Sequence, residues 1–223
     1  MCSDRYRGSL RKMAKSLVVV DYGVGNVFSV VNALKMIGES PVLSAEPSVV
    51  SSADRLILPG VGSFSAVMRR LQASGLKESI NTFIRSDRPF LGICVGMQVL
   101  MTASFEFGCH EGLNYINGTV DRIPDIAESG ASLKVPHISW ERLQCVNSDF
   151  ARRAGFRGLD QSYFYFVHSF QCNPDSHENL VATVNSRDKS LCAMVGSGNI
   201  IGVQFHPERS GPDGLRFLKM FVE

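Results

Sequence analysis

The segment with the clearest chemical potential is Gly92-Ile93-Cys94-Val95-Gly96. It has the form glycine, any residue, nucleophile, any residue, glycine, and it follows an apolar, strand-like run at residues 89–93. A nucleophile on a sharp turn between a strand and a helix is presented above the sheet edge, and the glycines allow the tight backbone. The start of the helix should favour the thiolate form of Cys94. The Val95 amide could donate to an oxyanion. Because buried cysteines are common, this motif alone leaves a structural role open.

A second segment, His206-Pro207-Glu208, supplies what a cysteine nucleophile requires. The nucleophile needs a base, and the base needs an orienting group. His206 and Glu208 are two positions apart at the end of a strand-like run, residues 200–205, so both can point to one side. By itself this segment is also typical of a solvated turn. Together with the cysteine motif it predicts a triad of Cys94, His206 and Glu208.

A third segment, residues 58–64, is a glycine-rich loop between a strand-like run and a helix-like run. The backbone amides of Gly60, Val61 and Gly62 could hold an anion, either a phosphate or the oxyanion of a tetrahedral intermediate. The loop lacks the lysine of a phosphate-binding Walker motif, which argues against a nucleotide site. A plain turn between strand and helix is the structural alternative.

The elements that must position these segments alternate in the first half of the chain. Short apolar runs indicate buried strands, and apolar residues at helical spacing indicate helices between them. Asn26 is a candidate N-cap and Gly38 a candidate C-terminal cap of the first helix. The predicted strands are residues 17–22, 41–44, 56–58 and 89–93, and the predicted helices are residues 27–37, 63–74, 76–86 and 95–103. This alternation predicts a mostly parallel sheet covered on both faces.

The second half of the chain is typical of antiparallel strands joined by turns such as Asn117-Gly118. The predicted strands are residues 119–123, 134–140, 143–146, 163–168, 180–185, 191–195 and 200–205, before a helix around residues 215–221. The change of pattern near Gly118 indicates a layer added to the same domain. We therefore expect one domain over residues 17–223.

Composition excludes several classes of function. A net charge of +2 gives no reason to expect a nucleic acid or an anionic membrane as partner. The sequence contains no run of 18 or more apolar residues, so a membrane-spanning helix is not expected. The six cysteines are scattered without a CxxC pair, so a disulfide framework, a zinc site or another metal site is not expected, and reduced thiols fit the cytoplasm. Residues 1–16 are basic, and the apolar run after them is too short for a signal peptide; we expect a flexible extension.

The cysteine and His-x-Glu segments resemble those of class I glutamine amidotransferases of the triad type. Four further stretches, residues 21–26, 59–62, 136–140 and 165–169, narrow the resemblance to the glutaminase subunits of imidazole glycerol phosphate synthases. The resemblance runs in order from Leu17 to the C-terminus. It implies a flavodoxin-like, three-layer α/β fold with a mostly parallel central sheet and added antiparallel strands. The triad alone would also fit GMP, anthranilate or carbamoyl phosphate synthesis.

The resemblance implies a role for each matched residue and no cofactor. Cys94 would attack the side-chain amide of glutamine and form a γ-glutamyl thioester, and His206 would protonate the leaving ammonia and then activate water. The Val95 amide and the loop of Gly60, Val61 and Gly62 would form the oxyanion hole; in the family this loop can be inactive until the partner binds. The residues that would hold the ends of glutamine are Gln98, Glu106, His168, Ser169 and Phe170.

The resemblance also implies a partner, because ammonia released into water would be protonated. In the family the partner is a cyclase subunit with a (β/α)8 barrel, which forms a heterodimer with the glutaminase and uses ammonia to make imidazole glycerol phosphate and AICAR in histidine biosynthesis. The residues expected at or near this interface are Asn26, His137, Trp140 and Arg209. Trp140 is the only tryptophan, and a single tryptophan is also typical of a core.

Three departures from the family lie near the expected interface: Ser139, Glu141 and Arg209 stand where glycine, asparagine and lysine are usual. Arginine is not equivalent to lysine at a specific contact. These departures leave other hypotheses open. One is a related glutaminase that supplies ammonia for amidino sugars of surface polysaccharides, and neighbouring genes would separate it from the first. Another is a catalytically silent scaffold, and a further one is a hydrolase that needs no partner.

Overall fold

The computed structural model describes residues 15–23, 26–126, 130, 134–186 and 189–223. The first half alternates strands and helices, as the apolar pattern predicts. Its elements are β1 (Leu17–Val20), α1 (Val27–Met36), β2 (Val42–Ser44), α2 (Pro47–Ser52), β3 (Arg55–Gly60), α3 (Phe64–Ala73), α4 (Leu76–Ile84), β4 (Phe90–Cys94) and α5 (Val95–Gln98).

The second half is richer in strands. Its elements are β5 (Met101–Ser104), β6 (His110–Glu111), β7 (Ile116–Arg122), β8 (His137–Arg142), β9 (Gln144–Cys145), α6 (Ser148–Arg153), β10 (Tyr163–His168), β11 (Phe170–Pro174), β12 (Leu180–Ser186), β13 (Lys189–Ser197), β14 (Ile200–Val203) and α7 (Gly211–Val222). Single turns of 3₁₀ helix cover His177–Asn179 and Pro207–Arg209.

The central sheet has the strand order β2-β1-β3-β4-β14-β13-β12-β9. The pairs from β2 to β14 are parallel, and the pairs from β14 to β9 are antiparallel. Strands β1, β3, β4 and β14 are buried along their whole length, which explains why they read as continuous apolar runs. The predicted α/β class, with a mostly parallel sheet and added antiparallel strands, is confirmed.

Helices cover both faces of this sheet. Along the sheet, β2 lies on one side of β1, whereas β4 lies on the other side of β3, so the two connections cross the sheet in opposite directions. Because such crossovers are right-handed, α1 lies on one face of the sheet and α3 and α4 lie on the other. Accordingly α1 packs against α7, and α4 packs against α2 and α3. In the part of the chain that the structure describes, no helix combines the length and apolar character needed to cross a membrane.

Two smaller sheets stand beside the central one. One is the antiparallel pair of β8 and β10, and the other has the order β11-β7-β5-β6. The register of the first pair sets His137 opposite His168 and Trp140 opposite Tyr165. This pair therefore determines which side chains surround the site described below.

The sequence prediction is wrong at several elements. The helix expected over residues 95–103 ends at Gln98, and the chain turns into β5, which pairs with β7 in parallel. A short apolar run is ambiguous between helix and strand, and pairing with β7 decides it. Helices α2 and α6 and strands β6 and β11 were not predicted.

The N-terminal predictions fall partly outside the described residues. Only Lys15 and Ser16 of the expected extension are described, as are Gly23 and Asn26 but not the two residues between them. The Ser16 backbone N–H donates to Asp54 Oδ2 over 2.7 Å. Asn26 occupies the N-cap position of α1, as predicted. Its side chain accepts from the Ser29 hydroxyl over 2.6 Å and, among the described residues, from no backbone N–H of the helix.

Candidate active site

The candidate site lies at the carboxyl edge of the parallel strands. Gly60 at the end of β3 is paired with Cys94 at the end of β4, and β14 runs parallel to β4 on its other side. Parallel strands deliver their carboxyl ends to one edge of a sheet, where ligands bind in such folds. The glycine loop, Cys94 and His206 therefore meet at this edge.

Cys94 lies on a strained turn. Its φ of +55° and ψ of −112° are unusual for a residue with a Cβ atom. The glycines that flank it are required by close packing, since a Cβ on Gly96 would lie 2.0 Å from Leu58 O and one on Gly92 would lie 2.4 Å from Gly96 O. The following helix α5 has only four residues. A helix this short aligns too few peptide dipoles to stabilise the Cys94 thiolate as the sequence suggested. The backbone amide of Val95 is then the hydrogen-bond donor that the turn itself provides.

His206 connects the other two members of the predicted triad. Its Nδ1 lies 2.8 Å from Glu208 Oε1, and both side chains are buried. Burial lowers the pKa of His206, but hydrogen bonds to Cys94 and Glu208 outweigh this effect and raise the pKa to about 10. The imidazole is therefore protonated at neutral pH. A protonated imidazole beside a cysteine sulfur is the arrangement that activates cysteine nucleophiles.

The glycine loop passes beside the cysteine turn. A Cβ on Gly60 would lie 2.4 Å from Gly96 N, so the loop approaches α5 as closely as backbone allows. Sequence reasoning missed Tyr22, whose buried hydroxyl donates to Pro59 O over 2.8 Å at the start of this loop. Burial raises the pKa of Tyr22, and the hydroxyl remains a donor. The tyrosine in the segment after β1 could have suggested this contact, because β1 is next to β3.

A cavity of about 410 Å³ opens above Cys94, within the size range of small-molecule sites. It brings together most of the predicted site residues: Val61, Gly62, Cys94, Val95, Gln98, Glu106, His168, Ser169, Phe170 and His206. Two predicted interface residues, Asn26 and Arg209, also line it, as do Phe107, Pro136 and Val167, which were not predicted. Gly60 lies under the cysteine turn, and Glu208 lies behind His206 without lining the cavity.

The Phe170 carbonyl organises one wall of the cavity. It accepts from Gln98 Nε2 over 3.2 Å and lies 2.8 Å from His168 Nδ1. Burial lowers the pKa of His168 to about 3, so this imidazole is neutral at physiological pH. A carbonyl can only accept, and therefore the His168 proton is on Nδ1. Its Nε2 is then an acceptor that has no partner among the described residues.

Glu106 adds a carboxylate to the lining of the cavity. Its Oε2 accepts from the Phe64 N–H over 2.5 Å at the first turn of α3. A carboxylate at a helix N-terminus is favoured by the exposed amides and the helix dipole. The same side chain therefore fixes α3 and gives the cavity a negative group.

An exposed cluster, here called the aromatic face, consists of Trp140, Tyr165 and Arg209. Trp140 is 52% exposed, so the core alternative for this tryptophan is wrong. The Trp140 and Tyr165 ring centroids are 5.9 Å apart, and the Arg209 guanidinium carbon is 4.7 Å from the Tyr165 ring centroid. Tyr165 was not predicted as a site residue, although it is opposite Trp140 in the strand register.

The remaining interface candidate, His137, is buried rather than exposed. Its ring centroid is 5.2 Å from that of His168, so it lies directly behind the cavity wall. The two departures from the family pattern on the same strand contact each other, since the Ser139 hydroxyl donates to Glu141 Oε1 over 2.6 Å. The Ser139 hydroxyl is therefore already paired within the chain.

Comparison with known proteins agrees with this arrangement. The family model for class-I glutamine amidotransferases matches residues 18–223, and the chain belongs to this family. Among its relatives are imidazole glycerol phosphate synthase subunits HisH from Geobacter metallireducens and Syntrophotalea carbinolica. Both are 45% identical to it, over 93% and 92% of this chain and 97% and 98% of their own lengths. The HisH subunit from Methanosarcina barkeri is 42% identical over 94% of this chain and 98% of its own.

Solved structures show the same fold at low sequence identity. A crystal structure of a glutamine amidotransferase has a TM-score of 0.70 at 17% identity, covering 93% of this chain and 100% of its own. The structure of PurLQS from Thermotoga maritima has a TM-score of 0.68 at 21% identity, covering 94% and 98%. The architecture is thus shared by proteins with dissimilar sequences.

Proposed function

We propose that this chain hydrolyses L-glutamine to glutamate and ammonia, and that it is the glutaminase subunit of an imidazole glycerol phosphate synthase in histidine biosynthesis. Residues 17–223 would form the amidotransferase domain. The observation that carries the proposal is the buried His206, held between Glu208 and Cys94 at the floor of a cavity large enough for an amino acid. The HisH relatives, which match almost the whole chain, supply the pathway.

In the first half-reaction, Cys94 Sγ attacks the side-chain carbonyl carbon of glutamine. The carbonyl oxygen becomes an oxyanion and accepts hydrogen bonds from the Val95 amide and from the loop of Gly60, Val61 and Gly62. The protonated His206 gives its proton to the amide nitrogen. The C–N bond then breaks, ammonia leaves and a γ-glutamyl thioester remains.

In the second half-reaction, His206 changes its role because its surroundings change. Once the sulfur is acylated, it no longer carries the charge that helps to raise the His206 pKa, whereas burial still lowers it. The neutral imidazole can then take a proton from water, which attacks the thioester carbon. The C–S bond breaks, its electron pair returns to Cys94 and glutamate leaves. Glu208 orients the imidazole through both steps.

The cavity walls suit the amino-acid end of glutamine. The Glu106 carboxylate attracts the α-ammonium group, and Gln98, His168, Ser169 and Phe170 provide polar atoms around the α-carbon. Pairing of unlike charges in a site shielded from water orients a ligand strongly. This recognition would direct the side-chain amide towards Cys94.

The partner would cover the mouth of this cavity. Asn26 and Arg209 line the cavity, and Arg209 also belongs to the aromatic face. Half-exposed tryptophan, tyrosine and arginine side chains are typical anchors of protein interfaces. We propose that the aromatic face binds a (β/α)8-barrel cyclase subunit as a heterodimer in the cytoplasm, and that ammonia passes to it without entering water.

The test is glutamine hydrolysis by the purified chain, alone and with the cyclase subunit of a histidine pathway and its nucleotide ligand. Strong stimulation by that cyclase supports the proposal. Basal hydrolysis that the cyclase does not stimulate would support glutamine hydrolysis but reject the histidine pathway. The ammonia would then go to another recipient, such as an amidino-sugar enzyme. No hydrolysis in either mixture would reject the catalytic proposal and favour the silent scaffold.

The control for chemistry is a pair of cysteine variants. Cys94→Ser should abolish hydrolysis with and without the cyclase, whereas Cys109→Ser, at an exposed cysteine, should leave it intact. Full activity of Cys94→Ser would reject the triad.

A further inference from the structure

A buried glutamine that the mechanism above does not use is in contact with the nucleophile. Gln204 is fully buried, and its Nε2 lies 3.6 Å from Cys94 Sγ. It follows β14 and is two positions before His206. The same segment therefore brings both Gln204 and His206 to the sulfur.

The orientation of the Gln204 amide follows from its neighbours. The Phe170 carbonyl can only accept, so the atom of Gln98 that is 3.2 Å away must be the nitrogen. The second N–H of the same Gln98 nitrogen is directed at Gln204 over 3.0 Å and requires an acceptor there, which is Gln204 Oε1. The Gln204 nitrogen is then the atom that faces Cys94.

We propose that Gln204 is a catalytic residue of this site, which donates a hydrogen bond to Cys94 Sγ alongside His206. The Phe170 carbonyl fixes the direction of this bond through Gln98. An N–H donor stabilises a thiolate more than a neutral thiol. Gln204 therefore favours the nucleophilic form before attack, and it stabilises the departing thiolate when the C–S bond of the thioester breaks.

The arrangement also defines what Gln98 presents to the cavity. Both N–H groups of its amide are used, one on Phe170 O and one on Gln204 Oε1. An amide has one remaining polar atom, its carbonyl oxygen, which is an acceptor. Gln98 thus acts as a positioning residue for Gln204 and can offer only an acceptor to a ligand. This inference rests on the proposed function for its catalytic meaning, but the contact with Cys94 can be tested without it.

The test measures alkylation of Cys94 by iodoacetamide as a function of pH, quantified on the Cys94 peptide by mass spectrometry. Gln204→Met keeps the length of the side chain and removes the donor. Because a hydrogen bond to a charged group is lost, the midpoint of the alkylation profile should rise by roughly one pH unit. The kcat for glutamine should fall roughly tenfold, with KM changed by less than about threefold. The matched control is Gln144→Met, at a half-buried glutamine on the edge strand β9.

An unshifted alkylation profile in a folded Gln204→Met chain overturns the inference, even if the melting temperature falls, because a purely structural residue would affect stability alone. If Gln204→Met does not fold, the wild-type chain decides. The side-chain amide protons of Gln204 should be protected from exchange and should shift in NMR spectra when Cys94 is alkylated, and no response would reject the contact. If the alkylation profile shifts in Gln204→Met but the wild-type chain shows no glutaminase activity, the contact between Gln204 and Cys94 is supported and the proposed function is rejected.

Discussion

The carboxyl edge of the central sheet and the aromatic face differ in how their polar groups are satisfied. At the edge, the buried Gln98 and Gln204 are joined over 3.0 Å, and Gln204 contacts Cys94 Sγ over 3.6 Å. The buried side chains of His206 and Glu208 are joined over 2.8 Å. At the aromatic face, the half-exposed Trp140 lies opposite Tyr165 on the paired strands β8 and β10, and their ring centroids are 5.9 Å apart. The first region is preorganised by the chain itself, whereas the second keeps apolar surface in water.

This difference assigns glutamine hydrolysis to the carboxyl edge and binding of the partner to the aromatic face. A preorganised buried network can act on a bound substrate without further ordering. An exposed aromatic cluster gains free energy only when another surface covers it. Substitutions at the edge should therefore change glutamine hydrolysis even when no partner is present. Substitutions on the aromatic face should change only the response of hydrolysis to the partner.

The largest effect is expected at His206. His206→Asn removes the acid and base of both half-reactions, and the rate of glutamate release should fall by about 10⁴-fold or more, with and without the cyclase. The residual rate would reflect the oxyanion donors and substrate binding. His177→Asn, at an exposed histidine, is the control and should behave as wild type. A His206→Asn chain that retained a tenth of wild-type activity would break the assignment of chemistry to the edge.

The sequence predicted the edge well because its constraints are local. The turn at Cys94 needs glycines at fixed positions, and His206 is two residues from Glu208, so each signal is contained in five residues or fewer. The strands that carry them are buried on both faces, and their apolar runs could be read directly.

The features that were missed depend on distant contacts. Gln204 is buried beside Cys94 because β14 pairs with β4, and its place two residues before His206 becomes informative only once His206 and Cys94 are known to meet. The end of α5 at Gln98 is decided by the pairing of β5 with β7. His137 was expected at or near the partner interface, and its register opposite His168 buries its side chain behind the cavity. Register between distant strands is not encoded in any single short segment.

A second prediction separates orientation from acid–base chemistry at the edge. Glu208→Gln keeps the shape of the side chain but removes the charge that helps to raise the His206 pKa. The rate of hydrolysis should fall by about 10²- to 10³-fold, less than in His206→Asn. The His206 pKa should fall below about 10, which an NMR titration of the imidazole would measure.

The same variant has a defined effect on stability. The folded-state pKa of His206 is raised, so its protonation stabilises the fold fully below the pKa of about 6.5 of an unfolded histidine. This contribution is lost as the pH rises through about 10. The difference in unfolding free energy between wild type and Glu208→Gln should therefore be larger near pH 6.5 than above pH 10. A difference that grew with pH would contradict the protonated imidazole.

A third prediction concerns the aromatic face. Trp140→Ala should leave glutamine hydrolysis by the free chain unchanged and weaken cyclase binding by roughly 10- to 100-fold, because an exposed anchor is lost. Calorimetric titration of the cyclase and the basal rate of glutamate release would measure the two effects. Met36→Ala, at an exposed apolar residue at the opposite end of α1 from Asn26, is the control. Loss of the basal rate in Trp140→Ala would show that the two regions are not separable.

The smallest effect is expected at Arg209, which belongs to both regions. Arg209→Met keeps most of the aliphatic stem and removes the cation above the Tyr165 ring. A charge at the rim of an interface contributes little affinity and acts mainly on salt-dependent association, so cyclase binding should weaken by roughly two- to fivefold, and its dependence on salt should decrease. Arg69→Met, at an exposed arginine on α3, should change neither. An effect of Arg209→Met larger than that of Trp140→Ala would move the centre of the interface from the aromatic rings to the mouth of the cavity.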